Sequence, residues 1–302
     1  MKERILSNPK ATKEAKKLFD YLCDMHGKKL ISGQQECPTK ERVEEEMEYI
    51  YQVTGKLPAI RGLDYIHDDF EGVNQRAKEW YEKGGIVTIC WHWGIPPVGL
   101  GYPSSQETID VEEALTEGTA LHEGMLRQMD GVAEALKELK NQKIPVLWRP
   151  LHEFDGAWFW WGKQGPDCFK RLWRLMYDRF TNYHGLNNLI WVLSYSWQLH
   201  DDWYPGDEFY DIIGTDIYEV GEHKDSYDKL ASWSGTQIPI AYSECGPMPD
   251  PDKLVEQNIH WAWFMTWHTI YVKEHNASEY LHRIYHHDYV LTLEDMPDWK
   301  AC

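Results

Sequence analysis

Eight short apolar runs recur along the chain, and each is followed by polar residues and then by a segment with helical periodicity. Several runs are rich in Ile, Val and Leu without polar alternation, which is typical of strands covered on both faces in a parallel sheet. The runs are KLISG near residue 30, LPAIRGLDY (57–65), GGIVTICWHW (84–93), IPVLWRPLHE (144–153), LIWVLSYSW (189–197), YDIIGTDIY (210–218), IPIAYSECG (238–246) and WAWFMTWH (261–268). The pattern predicts eight buried parallel strands.

Apolar residues between the runs repeat every three or four positions, as they do in amphipathic helices that cover a sheet. One such stripe joins Val43, Met47, Ile50 and Tyr51. Two longer stripes consist of Met125, Met129, Val132, Leu136 and Leu139, and of Phe169, Leu172, Trp173, Met176 and Phe180. We assign all three stripes to helices that pack on the core.

Eight strand–helix units in 302 residues match the size and rhythm of a (β/α)8 barrel. A doubly wound sheet is a poorer match, because the chain has neither a G-x-G-x-x-G nor a G-x-x-x-x-G-K-[ST] loop. No internal repeat, low-complexity tract or Pro/Ser-rich linker interrupts the alternation. We therefore predict an α/β protein with a single (β/α)8 TIM-barrel domain over residues 1–302.

The chain is strongly acidic and rich in aromatic residues. Its formal net charge is −18, and it contains 16 Trp, 18 Tyr and 8 Phe. A negative surface repels nucleic-acid phosphates and favours neutral or cationic ligands, so we expect no nucleic-acid partner. No apolar stretch reaches the roughly 18 residues that would indicate a membrane span. The aromatic load exceeds what a core of this size needs, and we expect some rings to face a ligand.

Polar and aromatic residues cluster at the ends of the predicted strands, where a TIM barrel places its chemistry. From the second run to the eighth, these residues are Asp64 and Tyr65, His92, His152 and Glu153, Trp197, Asp216 and Tyr218, Glu244, and Trp267 and His268. Because the carboxyl ends of parallel strands meet at one face of the barrel, the cluster predicts one site there. Trp197 and Asp216 are among the candidates for substrate binding.

Glu153 and Glu244 both follow apolar segments, VLWRPLHE and PIAYSE. Partial desolvation raises the pKa of such a carboxyl toward a value useful in acid–base chemistry. The fourth and seventh strands lie on roughly opposite sides of a narrow mouth, so the two side chains can face each other. Glycoside hydrolases use such a facing pair of carboxyls as their catalytic groups. The alternative for either glutamate alone is an ion pair with Arg149 or Arg61.

Tryptophans near the strand ends would suit a sugar ligand, because the C–H groups of a pyranose face stack on indole. The candidates are Trp158, Trp160, Trp161, Trp197 and Trp267. Any one of them could instead be part of the barrel packing, and we expect the rings to divide between the two uses. A neutral polysaccharide is also compatible with the negative charge of the chain.

Other chemistries are less consistent with the sequence. The H-E-x-x-H motif of zinc proteases and the G-x-S-x-G elbow of serine hydrolases are absent. His92 and His152 could contact a metal, but hydrogen bonds to substrate hydroxyls explain both without a third ligand. The six cysteines are scattered without a C-x-x-C pair, which argues against a zinc site. We expect neither a metal nor a cofactor.

The chain resembles the mannanases of glycoside hydrolase family 26 over nearly its whole length. The matching segments are LISGQQ, GLDY, GGIVTICWHW, WRPLHEFDGAWFWWG, YPGDEFYDIIGTDIY, PIAYSECG, WFMTWH and YVLTLEDMPDW. The resemblance implies that Glu153 is the acid/base and Glu244 the nucleophile of a retaining mechanism. It also implies that His152 contacts the sugar held at the nucleophile, and that His92 is the active-centre histidine of the third strand.

The same resemblance assigns three aromatic residues. It places Trp158 at the subsite beyond the scissile bond, and Trp267 as a stacking surface under the sugar being cleaved. Tyr218 corresponds to the tyrosine that hydrogen-bonds the nucleophile. One departure is the segment HEFDG, which replaces the commoner HEMNG. Asp155 therefore adds a charge near the acid/base, and we expect it to affect the pKa of that group.

The activity implied is a retaining endo-β-1,4-mannanase that acts on mannan or glucomannan, with the polysaccharide and its oligosaccharides as binding partners. A β-glucanase (lichenase) or a β-1,3-xylanase of the same fold remains an alternative, as does a barrel that binds polysaccharide without cutting it. We expect a monomer without a membrane partner. We also expect an extracellular protein, because a polymer does not readily enter a cell; the start of the sequence has no apolar signal segment.

Overall fold

The eight apolar runs form the strands of a closed parallel barrel in the computed structural model, which describes residues 2–300. Every strand position is buried except the last residue of a ninth, short strand. The strands are β1 (Leu30–Gln35), β2 (Ile60–Asp64), β3 (Ile86–Trp91), β4 (Val146–Pro150), β5 (Leu189–Ser196), β6 (Ile212–Ile217), β7 (Ile240–Cys245), β8 (Trp263–Thr266) and β9 (Val290–Leu291).

The order of strands around the barrel follows the order of the chain. Each of β1 to β8 pairs in parallel with the next, and β8 pairs with β1, which closes the ring. The two-residue strand β9 pairs in parallel with Leu30 and Ile31 at the start of β1. The predicted (β/α)8 TIM barrel is therefore confirmed.

Helices occupy the segments between the strands. They are α1 (Lys13–Met25), α2 (Glu45–Thr54), α3 (Phe70–Glu82), α4 (Gly101–Ser105), α5 (Val111–Ala114), α6 (Ala120–Asn141), α7 (Pro166–Asp178), α8 (Lys224–Ser234), α9 (Pro251–Glu256), α10 (Ile270–Lys273) and α11 (Ser278–Tyr285). The longest, α6, begins where Thr119 Oγ1 accepts a hydrogen bond from the His122 amide, and α7 begins with a proline. Both are preferred ways to start a helix.

The predicted apolar stripes pack on the barrel with two exceptions, both in the first stripe: Val43 is half-buried and precedes α2, which begins at Glu45, and Tyr51 is exposed. All five stripe residues of α6 are buried, and so are Phe169, Leu172, Trp173 and Met176 of α7. In α2, Met47 and Ile50 are buried, but Tyr51 is 56% exposed. Tyr51 follows Ile50 directly and is therefore turned about 100° around the helix, away from the barrel.

The single-domain prediction for residues 1–302 includes Met1, Ala301 and Cys302, which lie outside the described residues. Between residues 2 and 300, all eight barrel strands belong to one sheet. Across that same range, no helix combines the length and apolar character needed to cross a bilayer. The five cysteines of the described part are unpaired thiols, and four of them are buried.

Candidate active site

Glu153 lies in a tight turn that follows β4. Leu151, Glu153 and Ala157 all have left-handed backbone conformations, with φ of 50°, 53° and 60°. Such values are uncommon for residues other than glycine, and they persist where surrounding contacts hold them. One of these contacts is the hydrogen bond from the Glu153 amide to the Ser194 carbonyl of β5, at 2.9 Å. The turn places the Glu153 side chain at the mouth of the barrel instead of continuing the strand.

Glu244 lies within β7 and is only 2% exposed. Its Oε1 accepts a hydrogen bond from an Arg149 guanidinium nitrogen, and its Oε2 accepts one from the Tyr218 hydroxyl at 2.5 Å. Arg149 also donates to Asp216 Oδ2 at 3.2 Å, and Ser194 Oγ donates to Asp216 Oδ1 at 2.8 Å. Both oxygens of Glu244 are therefore fixed by donors that stabilise a negative charge.

The structure brings the two predicted glutamates together. One carboxylate oxygen each from Glu153, Asp216 and Glu244 lie within 4.8 Å of one another. Glu153 is partly exposed, whereas Asp216 and Glu244 are buried. Asp216 was predicted to bind substrate, but the structure places it beneath the glutamates with both oxygens bonded to protein groups. The arrangement makes Asp216 a support for Arg149, while direct substrate contact by Asp216 stays a prediction.

The electrostatic environment of Glu153 favours the protonated form of its carboxyl. Burial and the negative charge of Glu244 raise the pKa of Glu153 to about 8, although the hydrogen bond from Trp158 acts in the opposite direction. Burial and the nearby glutamates also raise the pKa of Tyr218 well above its usual value, so its hydroxyl remains a donor to Glu244. At neutral pH Glu153 therefore carries a proton. A carboxyl that keeps its proton at neutral pH fits the role of the acid in glycoside hydrolysis.

His92 and His152 form a buried chain of hydrogen bonds next to Glu244. His92 Nδ1 lies 2.5 Å from Asp64 Oδ2, and the His92 and His152 Nε2 atoms are 3.2 Å apart. Burial lowers the pKa of His92, but the charge of Asp64 more than offsets this and the pKa is raised. Burial and the charges of His92 and Arg149 hold the pKa of His152 well below its usual value, so His152 is neutral. Its Nε2 lies 3.9 Å from Glu244 Oε1.

The candidate tryptophans divide into two groups. The Trp158 indole donates to Glu153 Oε2 at 2.8 Å, the Trp267 ring lies 5.8 Å from the His92 ring, and Trp197 is 58% exposed beyond the end of β5. These three rings are accessible from the mouth side of the barrel. Trp160 and Trp161 are fully buried, and their indoles donate to the carbonyls of Trp93 and His152. The structure assigns those two rings to packing.

Asp155 connects two loops. Its Oδ1 accepts a hydrogen bond from the Ser196 amide at 2.7 Å, and its Oδ2 accepts one from the His200 amide at 3.2 Å. Burial raises the pKa of Asp155. The side chain is engaged with the loop after β5, which carries Trp197, and we interpret it as an anchor between that loop and the turn of Glu153.

Exposed apolar side chains form a rim around the site. Among residues 2–300, six of the ten exposed large hydrophobic residues lie in the segments that follow β3, β5, β6 and β8: Val98, Leu100, Tyr102, Trp197, Val220 and Ile270. Tyr102 also packs 5.6 Å from the His92 ring and 5.9 Å from the Phe159 ring. Exposed apolar groups gathered at one face indicate a binding surface.

Asp64, Arg149 and Tyr102 belong to the site but were not predicted as site residues. The sequence pattern places Asp64 at a strand end and offers Arg149 only as an ion-pair partner for a glutamate. Arg149 does pair with Glu244, whereas Arg61 pairs with Glu36 and Glu44 at 2.6 and 2.7 Å. A lone arginine in an otherwise apolar barrel strand requires a buried anion, and that signal could have identified Arg149.

One group of side chains near the site has the composition of a metal site. A donor atom from each of Asp64, Cys90 and His92 lies within 4.8 Å of the other two. Asp64 already accepts hydrogen bonds from the amide and the Nδ1 of His92, at 3.1 and 2.5 Å. A metal ion would have to replace the second of these bonds. The expectation of no metal stays a prediction.

A parallel barrel with two carboxyls facing each other at its mouth, beside accessible indole rings, defines the class of barrel glycoside hydrolases. The chain belongs to glycosyl hydrolase family 26, whose family model matches residues 7–295. The family predicted from the sequence is thereby confirmed.

Curated relatives and solved structures are similar over nearly the whole chain. A mannan endo-1,4-beta-mannosidase of Thermothelomyces thermophilus is 38% identical over 98% of this chain and 64% of its own length, and mannan endo-1,4-beta-mannosidase B of Piromyces sp is 34% identical over 98% and 54%. The chain thus spans between half and two thirds of these relatives. The GH26-CBM35 beta-(1,4)-mannanase of Podospora anserina has a TM-score of 0.91 at 36% identity, covering 99% of this chain and 70% of that one.

A further similar structure covers both chains almost completely. It is a beta-mannanase from a symbiotic protist of the termite Reticulitermes speratus, in complex with a gluco-manno-oligosaccharide. Its TM-score is 0.91 at 32% identity, over 98% of this chain and 98% of that one.

Proposed function

We propose that this protein is an endo-β-1,4-mannanase that hydrolyses mannan or glucomannan. The observation that carries the proposal is the pair of glutamates at the barrel mouth, Glu153 and Glu244, with oxygens within 4.8 Å of each other. The names of the relatives support the substrate, since two similar curated proteins are mannan endo-1,4-beta-mannosidases and one similar structure holds a gluco-manno-oligosaccharide.

The proposed mechanism is a double displacement with retention. Glu244 attacks the anomeric carbon while Glu153 protonates the leaving oxygen; Glu153 then deprotonates the water that releases the glycosyl-enzyme. Retaining enzymes hold the two carboxyls about 5–5.5 Å apart, whereas inverting enzymes leave about 6.5–9.5 Å for a water molecule. The close approach of the pair here favours retention. Arg149 and Tyr218 hold Glu244 in place for the attack.

Several features favour internal cleavage of a polymer. The apolar rim includes the half-exposed Trp197 ring after β5 and the exposed Val98 and Leu100 side chains after β3, so apolar contact surface extends beyond the two glutamates. Sugar rings on both sides of the scissile bond would be bound in this way. We further propose that the protein is extracellular, because the polymeric substrate does not readily enter a cell; the monomeric state stays a prediction.

Reducing-sugar release from mannan, lichenan and β-1,3-xylan tests the substrate. We expect release from mannan and glucomannan at rates at least tenfold above those on the other two polymers. Activity only on lichenan or xylan would replace the substrate with a glucan or xylan. Binding to mannan without any sugar release would indicate a barrel that binds polysaccharide and does not cut it.

The pH profile tests the role of Glu153. Its pKa is raised to about 8, so the proton needed for leaving-group departure is present below that pH and is lost as the pH rises through it. We expect kcat/KM on mannan to fall on the alkaline side with a midpoint of about 8.

A matched pair of variants sharpens this test. The Trp158 indole bonds the Glu153 carboxylate and stabilises its charged form, so Trp158→Phe should move the alkaline midpoint to higher pH. Trp197→Phe removes an indole that has no contact with Glu153 and should leave the midpoint unchanged. An activity that stays constant between pH 7 and 9.5 would contradict the assignment of Glu153 as the acid.

A further inference from the structure

Glu46 joins the loops that follow the first and last strands of the barrel. Its carboxylate is fully buried in the first turn of α2. Oε2 accepts a hydrogen bond from the Cys37 amide after β1, at 3.0 Å, and Oε1 accepts one from the Thr269 amide after β8, at 2.9 Å. Glu46 forms no ion pair within the described residues, and such a buried carboxylate is costly unless amide donors satisfy it. The two bonds therefore define a specific conformation of both loops.

Thr269 has a backbone conformation that only glycine adopts freely. Its φ of 58° and ψ of −116° lie in the region of the first central residue of a type II′ turn. For a β-branched residue this conformation is strained, and it persists only where contacts impose it. The contact made by the Thr269 amide is the hydrogen bond to Glu46.

The strained residue lies two positions after Trp267, the proposed stacking surface for the sugar being cleaved. The Trp267 amide donates to the Cys245 carbonyl at 2.8 Å, and Gln34 Nε2 donates to the Trp267 carbonyl at 3.2 Å. These bonds fix the backbone of Trp267 at the end of β8. Two residues later, the bond between Glu46 and Thr269 fixes the chain again.

A second tether runs between the same elements. Lys273, at the end of α10, forms an ion pair with Glu45, which neighbours Glu46 in the first turn of α2. The loop from β8 to α10 is therefore fastened to α2 at two points. The buried bond of Glu46 is the one nearer to Trp267, whereas the ion pair of Glu45 is partly exposed to solvent and contributes less.

We propose that Glu46 is a positioning residue that fixes Trp267 by holding Thr269 in its strained conformation; the proposal rests on the proposed function, since it assigns Trp267 to the substrate site. A carboxylate is required because two amide donors need two acceptor oxygens. Glutamine at this position offers one oxygen, and its NH2 group would face an N–H group. The loop would then relax away from the strained turn, and the indole would shift with it.

The test is a double-mutant cycle on mannan hydrolysis, carried out well below the unfolding temperature of every variant. We expect Glu46→Gln to lower kcat/KM by roughly tenfold, because small misplacements of a positioned group have large effects on rate. In the Trp267→Ala background, the same change should alter kcat/KM less than about twofold. Glu48→Gln removes an equal charge from the exposed face of α2 and should have no effect.

If Glu46 only stabilises the protein in general, Glu46→Gln should lower kcat/KM by the same factor in the wild-type and Trp267→Ala backgrounds. That result would overturn the proposal. Unchanged activity of Glu46→Gln would overturn it as well. If Glu46→Gln does not fold, the comparison is made between Thr269→Gly and Glu46→Gln/Thr269→Gly. Glycine adopts this conformation without strain, so these two variants should differ by less than about threefold. A difference above tenfold would refute the proposal.

Hydrogen exchange separates this proposal from the proposed function. Amide protection in the peptide 267–273 should fall in Glu46→Gln and persist in Glu48→Gln, and this readout does not require catalysis. Unchanged protection in Glu46→Gln refutes the positioning role even if the enzyme is active. A wild-type protein that hydrolyses none of the three polymers refutes the proposed function. Lost amide protection in Glu46→Gln would still support the role of Glu46 in holding the loop after β8.

Discussion

Replacement of Glu244 by alanine is expected to lower turnover on mannan by roughly four to six orders of magnitude, because a residue that forms the covalent intermediate acts in the transition state. Oligosaccharide binding should persist, since the accessible rings of Trp158, Trp197 and Trp267 remain. Turnover is measured by reducing-sugar release, and binding by calorimetry with a mannan-derived hexasaccharide.

Azide provides a positive test of the same assignment. The space left by the Glu244 side chain would admit this small anion, which attacks the anomeric carbon from the side of the missing carboxylate. The expected product is an α-glycosyl azide, of inverted configuration, from an activated β-mannoside.

Glu256→Ala, at the exposed end of α9, should leave turnover within about twofold of the wild-type value. A Glu244→Ala variant that retains more than a few per cent of wild-type turnover, with normal folding, would refute the nucleophile assignment. The loss of Glu244 also leaves Arg149 with Asp216 as its partner, so the unfolding temperature of the variant should be measured alongside.

The barrel could be predicted because its strands are buried on both faces and therefore appear in the sequence as uninterrupted apolar runs. The prediction of burial was wrong for Tyr51. Its spacing fits the apolar stripe of α2, but the spacing does not distinguish a residue at the centre of a stripe from one at its exposed edge. The two-residue strand β9 was also missed. A pair of residues carries no periodicity, and its pairing with β1 depends on contacts distant in sequence.

The reactive residues of the site were predictable for a related reason: a barrel presents the ends of its strands at one face, so Glu153 and Glu244 could be placed there from the chain alone. The division of the tryptophans was not predictable. Trp158 and Trp161 lie three positions apart in an irregular turn, and only the fold shows that one bonds Glu153 while the other is buried.

Glu46 gave no signal in the sequence either. Its partner Thr269 is 223 residues away along the chain, and a single glutamate in an acidic helical segment resembles any solvated residue. Strain at Thr269 is a property of φ and ψ, which residue type alone does not reveal. Contacts that position a loop are therefore visible only once the strands have been assembled.

The second large effect is expected from Glu153→Ala, which removes the proton donor. General acid–base catalysis contributes about 10²–10⁴-fold, so hydrolysis of mannan should fall by roughly that factor. An aryl β-mannoside with an acidic phenol as leaving group does not need the proton, and its first step should remain fast. The second step then becomes limiting, because no base activates the water. Pre-steady-state measurements should show a burst of phenol equal to the enzyme concentration.

Azide again separates the two glutamates, and here it should give the β-glycosyl azide, because attack on the glycosyl-enzyme restores the original configuration. The alkaline loss of activity near pH 8 should also disappear from Glu153→Ala, since the group that titrates there is gone. Glu153→Gln, which keeps an acceptor for the Trp158 indole, provides a variant of matched shape and should behave in the same way. Full activity on mannan in either variant, or an α-azide from Glu153→Ala, would show that the roles of Glu153 and Glu244 have been assigned wrongly.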